Sequence, residues 1–389
     1  MKRVSVRKSL SSTLEFRFTQ FLIRAARKPK GAVTLGKKFS TRHAVLADKN
    51  AKGPPRKKAK LDIDETQENA SDSGITLVEK EKVTEAILSK FGVRMPDDFY
   101  QFWEFCSELD EKKPADAISS IGLTLVGPYD VQSGLFDVEK IDRESCLTHW
   151  RYYYDPPEFQ TILKGDDTSG FHIGYFRDEP DALPVFAASN NAVHGCKISP
   201  EGENLFSAVK LYIGREKKTT KDKTHRANLE RVEKALLDCA SKHGIPLEAN
   251  TKTMKSRSKR VVCKLFHCCG LVVPVDDNEV GYREVPETPG ALKKMFARIE
   301  AAETDEERMT AFDPIQELMT LVQFANDECD YGMGIELGLH MFSCGSLYLH
   351  KTILKLLPMG YQFIGRELFG EIITAHLKNR RSGSELSAI

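Results

Sequence analysis

The charge of this chain is divided between two segments, and the division limits where a folded core can form. The first 60 residues contain 18 Lys or Arg and only two acidic residues, which gives them a net charge of +16. The remaining residues carry 39 basic and 54 acidic side chains, a net charge of −15, so the formal charge of +1 for the 389 residues conceals both values. Segments of high net charge and low hydrophobicity cannot bury enough apolar surface to offset the entropy of ordering. We therefore predict a disordered basic tail over residues 1–78, of the kind that contacts other molecules, and a folded body after it.

The tail carries two targeting signals that indicate different compartments. A cluster of four cations after a proline pair is typical of a nuclear import signal. The cluster consists of Arg56, Lys57, Lys58 and Lys60. Residues 1–47, however, are rich in Arg, Lys and Ser, hold one acidic residue and include the apolar stretch 14–23, as mitochondrial transit peptides do. From the residues alone, both a nuclear and a mitochondrial location stay open.

The composition of the body indicates a soluble protein with room for about two domains. Hydrophobic residues make up 41% of the chain, yet no run approaches the roughly 18–20 apolar residues of a membrane span. The nine cysteines include no CxxC pair, which favours a reducing compartment over a disulfide scaffold. Cys268 and Cys269 beside His267 lack a second ligand pair at zinc spacing, so we predict no metal site.

The first half of the body has a mixed pattern, which predicts an α+β domain over residues 79–225. Apolar residues recur at helical spacing in 79–91 and again after Pro96. From residue 123 onwards short aromatic and β-branched runs alternate with turn residues, which predicts strands. The runs are 150–154, 172–176 and 205–213, and the basic stretch 217–226 reads as a linker.

The second half of the body predicts a mainly helical domain over residues 226–382 with a small β element. Helical spacing recurs in the segments 229–240, 292–302, 314–325, 334–342 and 353–377. Asp313-Pro314 has the composition of a helix start, since Asp can cap free amides and Pro needs no partner at the first position. The basic segment 251–260 and the apolar run 261–266 after it predict a solvated surface strand, although such cations could also contact phosphate.

Catalytic signature motifs are absent from the sequence, but one acidic segment departs from ordinary surface patterning. In residues 324–334 a helical pattern ends in three carboxylates within four positions, Asp327, Glu328 and Asp330, followed by two glycines. The spacing does not fit a twelve-residue calcium loop, and adjacent carboxylates rarely straddle a glycosidic bond. A carboxylate acting as an acid or base on a substrate brought by a partner, and a plain acidic loop, both stay open. Arg283, in the unusual stretch 281–288, could pair with one of these carboxylates or lie free in a turn.

Several longer stretches, in this order along the chain, resemble the histone PARylation factor family. They are DDFYQFW at 97–103, YYYDPPEFQT at 152–161, GYFRD at 174–178, GYREVPET at 281–288 and 323–334. The resemblance runs from about residue 79 to residue 380 and does not include residues 1–78. The tail is longer than the family pattern leads us to expect and lacks the zinc-binding motif of some relatives.

The resemblance implies an accessory factor that completes the active site of another enzyme. Such factors bind the catalytic domain of DNA-damage poly(ADP-ribose) polymerases, and the joint site modifies serine, chiefly on histones. By the family's motif Glu328 is the catalytic carboxylate, and Asp327, Asp330, Tyr282 and Arg283 lie at the polymerase interface. NAD is then supplied through the partner, with no cofactor bound by this chain itself. The resemblance also favours the nucleus as the location and gives the basic tail a supporting contact with DNA.

Overall fold

The computed structural model describes residues 77–136 and 140–389, within a compact unit that spans residues 71–389. Residues 1–76 of the predicted disordered tail, with the import signal, therefore lie outside the described residues, whereas residues 77 and 78, also predicted as tail, are the first residues of a helix. The fold of the described part is α+β, as predicted.

The chain enters this unit through two helices whose apolar faces start the core. Helix α1 (Leu77–Phe91) and helix α2 (Asp97–Leu109) are followed by 3₁₀ turns, the short strand β1 (Thr124–Leu125), and the short helices α3 (Tyr129–Gln132) and α4 (Arg143–Thr148). In α2 the residues Phe99, Phe102 and Cys106 are fully buried, because their spacing places them on one side of the helix. Phe99 stacks on Tyr129 with ring centroids 4.0 Å apart. The aromatic residues of this helix are core residues, as their pattern predicts.

An antiparallel sheet follows, and both of its faces are covered. Strands β2 (Phe159–Lys164), β3 (Phe171–Phe176), β4 (Phe186–Asn191) and β5 (Ser199–Gly202) join β1 in sequence order. Neighbouring residues of β3 point to opposite faces: Ile173 and Tyr175 enter the core formed with the helices, whereas Phe176 enters a second apolar cluster with Met254. The predicted strand 172–176 is thus confirmed.

The rest of the described chain is mainly helical. Its helices are α5 (Leu205–Thr219), α6 (Lys223–His243), α7 (Lys252–Ser258), α8 (Pro289–Ala301), α9 (Asp305–Asp327), α10 (Gly332–Cys344), α11 (His350–Phe363) and α12 (Glu367–Lys378). Helix α10 is buried from Gly332 to Ser343 and packs against α8, α9 and α11. The β element of this half is a single bridge between Cys263 and Leu271.

Two of the predicted strands are wrong. Residues 205–213 form the first part of α5, because Asn204 and Ser207 close a capping box that satisfies the first free amides of a helix. Residues 150–154 form turns, because the Asp155 carboxylate accepts from the Tyr152 amide at 3.0 Å and from the Thr161 hydroxyl at 2.9 Å. The predicted linker 217–226 is also wrong, since only residues 220–222 separate α5 from α6.

Three further local predictions are corrected in the helical half. The basic segment 251–260 forms helix α7 rather than a strand, because Thr251 caps it and Arg257 turns inward to Asp178, with a nitrogen–oxygen distance of 2.7 Å. Pro314 lies inside α9, whose actual start is a capping box between Thr304 and Glu307. The segment 353–377 is interrupted between α11 and α12 at Gly365, whose φ of +70° ends the first helix.

The predicted domain boundary between residues 225 and 226 stays a prediction. Leu229, Val232 and Leu236 of α6 lie in the same apolar core as α2 and the sheet. In the described residues no helix is long and apolar enough to cross a membrane. No group of His, Cys, Asp and Glu side chains in that part of the chain is arranged to hold a metal ion, and Cys268 is exposed while Cys269 is buried.

Candidate functional site

The end of α9 presents Glu328 at the surface through a defined backbone turn. The amide of Asp330 donates to the carbonyl of Ala325 at 2.8 Å, and the amide of Cys329 donates to the carbonyl of Asn326 at 3.1 Å. This pair of bonds is the Schellman ending of a helix. It makes Glu328 the C-cap residue and places Cys329 at the following position with a φ of +67°, where glycine is usual.

The turn separates the three carboxylates of the acidic segment. Asp327 and Glu328 are exposed, whereas only 10% of the Asp330 side chain is accessible. Asp330 Oδ1 accepts a hydrogen bond from the Gly281 amide at 3.0 Å, and Gly281 in turn accepts from the Gly332 amide at 2.9 Å. A Cβ atom on Gly281 would lie 2.2 Å from the carbonyl oxygen of Pro274, and its φ is +130°. A glycine is therefore needed at position 281, where the segment 281–288 meets the acidic segment 324–334.

The side chain of Arg283, in the segment 281–288, bonds to two carboxylates of the acidic segment. Its Nη2 atom lies 2.8 Å from Asp330 Oδ2 and also bonds to Glu328 Oε2. The bond to Glu328 raises the pKa of the arginine, whose charge is thus fixed. Of the two possibilities that the sequence left open for Arg283, the structure has the pairing with the acidic segment rather than a free side chain in a turn, and this pairing leaves 58% of the Glu328 side chain exposed to solvent.

Tyr282 is anchored beneath this surface by a carboxylate of α10. Its hydroxyl donates to Glu336 Oε2 at 3.0 Å, and the amide of Val285 donates to the same oxygen at 3.1 Å. Burial, together with the neighbouring Cys263 and Glu336, raises the pKa of the Tyr282 hydroxyl. Burial likewise raises the pKa of the Cys263 thiol to about 12. Both groups are therefore neutral at physiological pH.

The structure thus brings together Glu328, Asp330, Arg283 and Tyr282 from the predicted set. No hydrogen bond or ion pair in the described part of the chain joins Asp327 to this group, although it precedes Glu328 directly. Glu336 and the nearby His340 were not predicted as site residues from the sequence. The Nε2 atom of His340 lies 3.8 Å from Glu336 Oε1. A signal was present, since Glu336 is the one acidic residue of the otherwise mostly apolar helix α10.

Apolar side chains are exposed on α9 before the carboxylate and on α11. Phe324, one helical turn before Glu328, is 56% exposed, and Leu321 is exposed on the same side of α9. Beyond the turn, the ring of Tyr331 lies 4.8 Å from that of Phe363, which is also exposed. An exposed carboxylate, an arginine and exposed aromatic rings are residue types that are common in protein interaction surfaces.

Chemically, the arrangement offers one accessible carboxylate that is held in place by a cation. A carboxylate in this position can accept a proton from a hydroxyl that a bound partner places beside it.

Comparison with known proteins assigns the chain to a family. The family model described as histone PARylation factor 1 matches residues 82–380. The chain is 49% identical over 314 residues to histone PARylation factor 1 of Mus musculus, which covers 78% of this chain and 91% of the relative. It is 51% identical over 294 residues to that of Bos taurus, covering 75% and 85%, and 50% identical over 301 residues to that of Danio rerio, covering 77% and 86%. The chain therefore belongs to the histone PARylation factor family.

Proposed function

We propose that this protein binds the catalytic domain of a poly(ADP-ribose) polymerase and completes its active site for the modification of serine on histones. Glu328 is the general base for the acceptor serine. The observation that carries the proposal is the position of this carboxylate, which is exposed at the end of α9, is bonded to Arg283 and lies one helical turn after the exposed Phe324. The relatives are named histone PARylation factor 1, which supports a role in the PARylation of histones.

The chemistry of serine explains why such a carboxylate would be needed. A serine hydroxyl is a poor nucleophile until a base removes its proton, whereas an acidic acceptor residue is already ionised. The bond that forms joins the serine oxygen to the ribose carbon of NAD, nicotinamide leaves, and Glu328 takes the serine proton. The NAD is bound by the polymerase, so this chain supplies a proton acceptor and no cofactor.

The remaining site residues form the contact with the polymerase. Asp327 is exposed beside Glu328, and Arg283 retains free donors because only its Nη2 atom bonds to the two carboxylates. Asp330 and Tyr282 hold the two segments of this surface together from below.

A reconstituted reaction of polymerase, activating DNA, NAD, histone peptide and this protein tests the proposal. A positioned base contributes on the order of 10²–10⁴-fold, so Glu328→Ala should lower serine labelling by that factor and leave polymerase binding largely intact. Glu317→Ala, which removes an exposed carboxylate elsewhere on α9, is the matched control. Serine labelling that persists in Glu328→Ala would reject the catalytic role.

A second candidate function is a docking protein whose acidic surface only binds the polymerase or chromatin. The exposed Phe324, one helical turn before Glu328, agrees with docking as well as with catalysis. Glu328→Gln separates the two, because the amide keeps the shape and hydrogen-bonding capacity but cannot accept the serine proton. Under docking alone, serine labelling by this variant would equal that of the wild type.

We also propose that the protein acts in the nucleus, at chromatin near DNA damage, and that the basic tail assists by weak contact with DNA. The net charge of +16 over residues 1–60 supports such a contact, which would weaken as salt rises. Removal of residues 1–60 should lower chromatin retention more at low salt than at high salt, because high salt already weakens the contact of the tail in the intact chain. Joint replacement of Arg56, Lys57, Lys58 and Lys60 by Ala should reduce nuclear accumulation, and a mitochondrial location of the intact chain would contradict it.

A further inference from the structure

Glu336 is a charged residue in an environment that otherwise excludes charge. It lies in α10, where all residues from Gly332 to Ser343 are buried, and its side chain is 7% exposed. Removal of a carboxylate from water is unfavourable unless hydrogen bonds replace the water. The partners of Glu336 therefore indicate what the residue does in the protein.

Both hydrogen bonds to Glu336 come from the segment that carries Arg283. Its Oε2 atom accepts from the Tyr282 hydroxyl at 3.0 Å and from the Val285 amide at 3.1 Å. One carboxylate oxygen thus holds the chain on either side of Arg283. Hydrogen bonds to a charged acceptor are about twice as strong as those between neutral groups, which suits an anchor.

A second buried carboxylate holds the same segment one residue earlier. Asp330 accepts from the Gly281 amide, and the Gly332 amide donates back to the Gly281 carbonyl. Asp330 and Glu336 lie just before and within α10, so the segment 281–285 is fastened to the helix at Gly281, Tyr282 and Val285. Arg283 and Glu284, between these fixed points, are exposed.

We infer that Glu336 is a positioning residue, which fixes the backbone of residues 282–285 so that the guanidinium of Arg283 meets Glu328. The inference rests on the proposed function, because its consequence for activity passes through Glu328. Glu336 is buried and touches neither substrate nor polymerase. Since a misplacement of about 1 Å can cost on the order of 10²-fold in rate, loss of this anchor is expected to lower activity by about tenfold or more.

The test compares two buried glutamates of the same chain. Glu336→Leu removes the oxygen that accepts both hydrogen bonds. Glu336→Gln retains a carbonyl oxygen that can accept from the Tyr282 hydroxyl and the Val285 amide. Glu158 is a matched control: it is 5% exposed and accepts from the Tyr361 hydroxyl at 2.6 Å, but among the described residues no hydrogen bond or ion pair joins it to residues 281–285. Glu158→Leu and Glu158→Gln therefore report the general effect of changing a buried carboxylate.

The first readout is amide hydrogen exchange of the isolated protein, which requires no polymerase. The Val285 amide should exchange faster in Glu336→Leu, and by a smaller factor in Glu336→Gln, but not in the Glu158 variants. Because Glu336→Gln keeps the shape of the side chain, it provides the answer if the leucine variant does not fold. Unchanged exchange at Val285 in both Glu336 variants would overturn the inference.

The second readout is the serine-labelling rate at a saturating concentration of this protein. Glu336→Leu should lower that rate about tenfold, Glu336→Gln should restore most of it, and Glu158→Leu should leave it near the wild-type rate. In an Arg283→Ala background, Glu336→Leu should cause no further loss, since residues that act as a unit are not additive. Additive losses, or an equal loss in Glu158→Leu, would overturn the inference.

If Glu328→Ala retains activity, the proposed function fails, while the exchange experiment still decides whether Glu336 anchors the segment.

Discussion

Arg283 and Glu328 are bonded to each other in the free chain although about half of each side chain, 47% and 58%, is exposed. An ion pair this exposed contributes little to stability. Its effect is on orientation, because Arg283 is also held by the buried Asp330. Asp330, just before α10, thus holds the Arg283 guanidinium in place, and Arg283 in turn orients the exposed carboxylate of Glu328.

Replacement of Arg283 by Ala should weaken association with the polymerase more than it weakens the fold. We expect the dissociation constant, measured by calorimetry, to rise by tenfold or more, because an interfacial arginine is a frequent centre of binding energy. The free energy of unfolding should change little, because an exposed ion pair contributes little to stability. Arg298→Ala, an exposed arginine on α8, serves as the control, and a wild-type binding isotherm for Arg283→Ala would contradict the interface.

Asp330→Ala should destabilise the protein, because the buried Gly281 amide loses its acceptor. A buried donor left without a partner costs about 1–3 kcal/mol. Asp330→Asn should cost less, since an amide oxygen can still accept that bond. Urea unfolding at pH 7 gives both values. The exposed neighbour provides the comparison, and Asp327→Ala should change stability by less than about 0.5 kcal/mol.

The left-handed conformation of Cys329 predicts a steric order of substitutions. Its φ of +67° is unfavourable for any residue with a Cβ atom and most unfavourable for a β-branched one. Cys329→Val should therefore lower the free energy of unfolding by about 1–2 kcal/mol, whereas Cys329→Gly should be neutral or slightly stabilising. Thermal unfolding of the two variants measures the difference. Cys268, exposed with a φ of +71°, should give the same order, and equal stability of the Val and Gly variants would contradict the assigned turn.

Acid should destabilise the described unit through His267. Burial lowers the pKa of this ring to about 3, so the folded protein keeps it neutral while the unfolded chain binds a proton below about pH 6.5. The stability from the neutral ring is therefore complete above pH 6.5 and is lost as the pH falls towards 3, by about 1.4 kcal/mol per unit. Urea titrations at pH 7.5 and 5.0 should show a smaller loss in His267→Asn than in the wild type. Replacement of the exposed His194 by Asn should leave the loss unchanged.

Local features of the sequence were sufficient for elements whose pattern matches their environment. Helix α2 and strand β3 were predicted correctly because burial follows the period of the side chains in each. The predictions failed where a side chain satisfies backbone groups, as Asn204 does at the start of α5 and Asp155 in the turns before β2. Capping and turn formation by Asn and Asp compete with the hydrophobic pattern, and the short runs 150–154 and 205–213 were too weak to decide the outcome.

The acidic segment and Arg283 were identifiable as unusual from the sequence alone, and the resemblance gave Glu328 its predicted role. What the sequence determined by itself is the division of charge, the α+β class and the identity of these polar residues, because each depends on composition or on neighbours along the chain. Only the tertiary structure decided that Asp330 is buried while Asp327 and Glu328 are exposed, and that Glu336 anchors both sides of Arg283. These relations join residues about 45–55 positions apart, and they exist only because the packing of α10 brings the two segments together.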